Sequence, residues 1–124
     1  MTVKTAAAFD IEAFGRAYEE WDIEALLGLY AEDVEIVQID RDNPPSAPRV
    51  RRGREALRGM FEHCAAAGVR AAVENAVTDG RRAAATVTCA FPGGRKVVAN
   101  AIFDLEDGRI VREREVVSGD PKGS

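Results

Sequence analysis

The chain has 124 residues, with 21 acidic and 17 basic side chains, a net charge of −4, and 46% hydrophobic residues. That length makes one domain, able to bury roughly two thirds of its unfolded surface in a single core without a disulfide or metal staple. The acidic balance excludes the clustered basic excess that nucleic-acid binding demands, and no apolar run approaches a membrane-spanning length.

Residues 1–9 carry one lysine and a short alanine run but no apolar core of a signal peptide. Cys64 and Cys89 lack C-x-x-C spacing. They read as small buried hydrophobes of a reducing compartment, so a cytoplasmic location is expected. The expected organisation is one domain over residues 1–120 and a short flexible tail at 121–124.

Residues 9–21 read as a helix, with Ile11, Phe14, Ala17, Tyr18 and Trp21 recurring along one face. Asp22 then suits the N-cap of a second helix, supported by Glu24 in its first turn. Its apolar stripe is Ile23, Leu26, Leu27 and Tyr30, and Glu32-Asp33 ends it. Residues 34–40 alternate as a strand, with Val34, Ile36, Gln38 and Asp40 on one face and Glu35, Val37 and Ile39 on the other. Three prolines between residues 43 and 48 make a stiff loop. The basic run Arg49, Arg51, Arg52, Arg54 and Arg58 is suited to gripping a phosphate or carboxylate, but a solvated loop and helix start is the preferred reading. Residues 53–67 form a third helix with Leu57, Met60, Phe61 and Cys64 inward and Gly68 as its terminator. His63, the sole histidine, lies off that stripe and is expected to be exposed, with no metal motif.

From residue 69 to 118 the pattern is four strands joined by tight turns. Asp79-Gly80 and Asp107-Gly108 suit type I′ hairpins, Pro92-Gly93-Gly94 is a longer version, and Gly80, Gly94 and Gly108 recur at 14-residue intervals. Val97, Ala99, Ala101, Phe103 and Leu105 line one side of the third of these strands, while Val98 and Ile102 lie on the other with Asn100 between them. With both faces apolar, the helices must cover one, and a second subunit or the sheet's own curvature must shelter the other. The order α-α-β-loop-α-β-β-β-β is an α+β layout.

The run from Asp22-Ile23-Glu24-Ala25 to Asp33-Val34, then Arg52-Gly53-Arg54-Glu55, then Asp107-Gly108-Arg109-Ile110, resembles the nuclear transport factor 2-like superfamily. Within it the chain is most similar to SnoaL-like polyketide cyclases and ketosteroid isomerases, over about residues 9–118. The resemblance implies a cone-shaped curved antiparallel sheet with helices over a pocket, and a homodimer through the sheet's outer face. It hosts many activities, so it is specific for fold and weak for function. Carried over residue by residue, the phenolic oxyanion donor of ketosteroid isomerases falls at Phe14, the aspartate base at Gln38 and the neutral aspartic acid at Asn100. The first two changes remove the phenol and the base that steroid isomerisation by the familiar mechanism uses, while Asn100 retains an amide donor.

In the same frame Asp40 points into the cone near its mouth, and the last strand sends Val111, Glu113, Glu115 and Val117 inward and Arg112 and Arg114 outward. Three carboxylates and two amides would share one poorly solvated cavity, raising the pKa of at least one acid. Each has a plainer alternative. Asp40 can cap the turn at Asn43, the glutamates can pair with arginines across strands, and a one-residue slip would turn Asn100 outward and Ala101 inward. The expected candidates are therefore Asp40, Glu113, Glu115 and Asn100 for catalysis, with Phe14, Tyr18, Gln38, Phe61 and Val117 around a hydrophobic small molecule. No cofactor or metal is implied. A cyclase, isomerase or epoxide hydrolase is one expectation, and a non-catalytic ligand-binding or dimerisation module the other.

Overall fold

A computed structural model describes residues 8–121. The expectations for the first seven residues and for 122–124 lie outside the described residues.

Helix α1 spans Ile11–Glu20 and α2 spans Ile23–Gly28. Asp10 and Asp22 are their N-caps, each accepting a backbone N–H three residues on. Between them Trp21 takes a left-handed conformation at φ 49°, so the chain reverses with almost no linker. The second helix is shorter than its stripe suggested. It stops at Gly28, and Tyr30 begins strand β1, Tyr30–Ile39. After the proline loop, strand β2, Arg49–Arg52, pairs antiparallel with β1, where a solvated loop was expected. Helix α3, Arg54–Ala66, follows from Gly53, which sits at φ 91° and supplies the turn from strand into helix.

Strands β3 (Arg70–Thr78), β4 (Arg82–Ala90), β5 (Lys96–Glu106) and β6 (Arg109–Gly119) form the expected meander. Asp107 and Gly108 both have positive φ, as a type I′ turn requires. At Asp79-Gly80 only Gly80 does. There the Asp79 carboxylate instead accepts the N–H groups of Arg81 and Arg82, making a wider, side-chain-braced loop. The strand order is β2-β1-β6-β5-β4-β3. The β1–β6 pairing is parallel, so the six-stranded sheet is mixed.

Three helices cover one face of this open sheet. Phe14, Leu26, Leu27, Tyr30, Ile36, Leu57, Phe61, Phe103 and Ile110 are almost wholly buried between the layers. Phe14 lies edge-on to Tyr18 and Phe103 at 5.2 and 5.3 Å between ring centres. It is a core residue at the root of α1. A β-bulge near the start of β6 leaves Val111 unpaired, so Ile110, rather than Val111, is the fully buried residue there.

The opposite face stays uncovered in the single chain. Ile102 and Val116 are each 55% exposed on it, over a hollow of about 560 Å³ that Arg112 and Arg114 also line. Among the described residues no helix is long and apolar enough to cross a membrane.

Candidate functional site

Period-two alternation along β6 carries Glu113, Glu115 and Val117 onto the helix-covered face. Register fixes their neighbours. Glu113 is flanked by Ile36 and Phe103, and Glu115 by Gln38 and Ala101. The pocket they line has a volume of about 190 Å³; its helical wall comes from Tyr18, Trp21, Met60, Phe61 and Cys64. On the sheet side Val87, Cys89, Val97, Ala99 and Ala101 complete an apolar floor.

Glu113 is only 4% exposed and is the one buried charged residue among the described residues. Its Oε1 accepts a 2.9 Å hydrogen bond from the Tyr30 phenol, itself fully buried. Burial drives the Glu113 carboxyl well above the usual carboxylate range, and the Glu115 charge pushes the same way, while the Tyr30 bond opposes both. Glu115 is half-buried and also raised, again chiefly by desolvation. A hydrogen bond with Glu113 and the charge of Arg51 pull it back. Two carboxyls this close titrate as a pair, and the pair holds a proton to higher pH than either acid in water. The phenols of Tyr18 and Tyr30 are raised by the same burial and stay neutral donors.

A second chain of polar groups runs along the rim. Arg51 Nη2 donates to Gln38 Oε1 at 2.8 Å, and Gln38 Nε2 donates to Asp40 Oδ2 at 2.6 Å. The other Asp40 oxygen accepts from the backbone of Asp42 and Asn43 and from the Asn43 amide, each at 2.9 Å. These bonds, led by those from Asn43 and Gln38, hold the Asp40 carboxyl below its usual range. Asp40 is therefore an ionised turn cap at the end of β1, outside the pocket of the two glutamates. Such a carboxylate is a poor general base.

The structure thus brings Glu113, Glu115, Gln38, Tyr18, Phe61 and Val117 to one pocket and leaves three expected members elsewhere. Phe14 is in the core, and Asp40 is in its turn. Asn100 is exposed on the opposite face, where Thr86 Oγ1 donates to its side-chain oxygen at 2.7 Å; Ala101 takes the inward position. The shared cavity therefore has two carboxylates and one amide. Cross-strand pairing with arginine involves other acids, Glu35 with Arg52 and Arg112 and Asp104 with Arg82.

Two contributing residues escaped the sequence reading. The helical stripe claims Tyr30, although Gly28 two residues earlier is a stop signal and an aromatic residue suits a strand start. Arg51 reads as part of a solvated loop, because four residues with a single apolar member give no usable alternation. Its Nη1 reaches the Met60 sulfur at 4.0 Å, and its Nε is buried without a partner. Among the described residues no three His, Cys, Asp or Glu side chains come together as metal ligands.

Comparison with known proteins agrees with this architecture. No curated protein sequence matches. Among solved structures, a protein of unknown function with this fold from Mesorhizobium loti is 26% identical, with TM-score 0.70, covering 88% of each chain. A Kribbella flavida protein provisionally described as a ketosteroid isomerase is 18% identical, with TM-score 0.70, over 92% of this chain and 78% of that one. The epoxide hydrolase/cyclase-like enzyme SalBIII of salinomycin pyran-ring formation is 23% identical, with TM-score 0.65, over 87% of each. These identities speak for the nuclear transport factor 2-like fold. A family model, the SnoaL-like domain, matches residues 11–113, and the chain belongs to that family.

Proposed function

We propose that the protein is a small acid–base enzyme that acts on a hydrophobic molecule through the Glu113–Glu115 pair, as a cyclase, isomerase or epoxide hydrolase. The observation that carries this reading is a carboxyl pair, Glu113 buried and braced by Tyr30 and Glu115 half-buried, opening onto an apolar pocket. In its singly protonated form the pair sets an acid and a base side by side. In an epoxide opening, the acid gives its proton to the ring oxygen as the C–O bond breaks. Water adds to the carbon and gives its own proton to the carboxylate, restoring the pair. In an isomerisation, the carboxylate takes a proton from the carbon beside a carbonyl while the acid protonates the oxygen; the resulting enol is then reprotonated at a different carbon by the first group as the second takes back the oxygen's proton. SalBIII, an epoxide hydrolase/cyclase-like enzyme of this fold, lends support by analogy.

The test is hydrolysis of styrene oxide by the intact protein and by Glu113→Gln and Glu115→Gln. General acid–base contributions are typically ~10²–10⁴-fold, so each variant should lose at least about a hundredfold. A wild-type rate equal to that of the double variant would overturn the proposal for this reaction. The modest pocket and the engaged state of Asp40 favour the second reading, a binding module that holds a ligand without turning it over. We also propose that the uncovered sheet face around Ile102 and Val116 pairs with a second copy of the chain.

A further inference from the structure

We infer that the ligand of this pocket is an uncharged molecule of one or two rings that presents an ether, epoxide or carbonyl oxygen to Glu113 and Glu115. The inference rests on the acid–base reading of the pocket but concerns what enters rather than what becomes of it.

Size sets the first limit. A pocket of about 190 Å³ exceeds the ~150 Å³ that holds benzene and falls below the ~300–1,000 Å³ of sites for drug-sized ligands. One or two rings match that volume, and four fused rings exceed it.

Hydrogen-bond accounting sets the second. Trp21 Nε1 is already donated to the Val69 carbonyl at 2.7 Å. The Gln38 amide is engaged at both ends, by Arg51 and by Asp40. The Tyr30 hydroxyl is spent on Glu113. What remains to greet a ligand is the Tyr18 hydroxyl and the proton of the carboxyl pair, two donors that an acceptor oxygen can use.

Charge sets the third. An anionic ligand would place a third negative group beside two acids in a poorly solvated space. Arg51, the cation near the pair, donates its Nη2 to Gln38 at the rim and does not line the pocket. A ligand carboxylate is therefore excluded by the same groups that recognise a neutral oxygen.

Three probes separate these limits: 2-tetralone, a neutral two-ring ketone; 2-naphthoate, its anionic counterpart in size; and testosterone, a four-ring ketone. Binding to the intact protein is measured at pH 8 by ligand-observed NMR. Cys64 and Cys89 are both free and both line the pocket, so protection of these thiols from iodoacetamide localises the ligand there. Tetralone should bind and slow alkylation. Naphthoate should bind at least tenfold more weakly and recover that loss in Glu115→Gln, and testosterone should give no protection. Equal binding of naphthoate and tetralone, protection by testosterone, or no protection by tetralone would overturn the inference. Tetralone binding without any styrene oxide turnover would leave the ligand class standing and remove the epoxide-opening reading. Turnover with testosterone protecting the thiols would do the reverse.

Discussion

Replacing Tyr30 by Phe removes one atom from the centre of the site and leaves the ring in its aromatic cluster, 6.4 Å from Phe61 and 6.5 Å from Phe14. The lost interaction is the 2.9 Å bond to Glu113. When Glu113 is protonated this is a bond between neutral groups, with a net value of ~0.5–1.5 kcal/mol; when it is ionised the value rises to ~1.5–3 kcal/mol. The sign follows from linkage. The folded-state pKa of Glu113 lies above its unfolded value near 4.5, so the folded protein holds the proton more tightly. Stability is then lost as pH rises from that value through the folded pKa. Without the phenol the ionised form has one donor fewer, and the decline steepens. Urea melts at pH 5 and pH 8.5 test this. With a slope of roughly 2 kcal/mol/M, the midpoint of the variant should fall by about 0.5 M at the lower pH and about 1 M at the higher. A cost that failed to grow with pH, or no cost at either pH, would refute the assignment of Tyr30 as the donor that braces a titrating carboxyl.

Two other outcomes are expected. Asp40→Ala should lower the thermal midpoint at pH 7, because three hydrogen bonds to the turn and one from Gln38 are lost. The depressed Asp40 pKa means that the difference should begin to shrink as pH falls below about 3.8, the ordinary value for the group, and be lost as pH passes down through the lower folded-state pKa. The same variant should change styrene oxide turnover by less than about threefold, whereas a hundredfold loss would return Asp40 to the chemistry. Sedimentation of the wild type should give twice the 13.4 kDa chain mass, and Ile102→Arg should halve it. A monomeric wild type would dispose of the sheet-face pairing.

The hairpin half of the fold was legible because glycines and Asx residues punctuate strands with clear alternation. Likewise Glu113 and Glu115 were placed correctly by period two alone, since the β-bulge at Val111 lies upstream of both. Asn100 shows how a borrowed register fails. Counting back from Gly108 to a relative's site turned it inward, yet the run Val97, Ala99, Ala101, Phe103 had already assigned the inward phase to its neighbours. A slip of one residue reverses every side chain, so the strand's own alternation outweighs a transferred count. The misreading of Tyr30 and Arg51 has a different origin. Strand β2 has four residues and gains its order from pairing with β1, a long-range event that no local propensity announces.

That β6 lies between β1 and β5 bears on how the molecule is made. The hydrogen bond from Tyr30 to Glu113 spans 83 residues, and the same final strand supplies both acids and the central seam of the sheet. On the ribosome, a nascent chain that has reached Gly108 would possess every helix and still have two unjoined sheet halves with an open apolar seam. The insertion of one late strand would then assemble the fold and the proton-sharing pair in a single event.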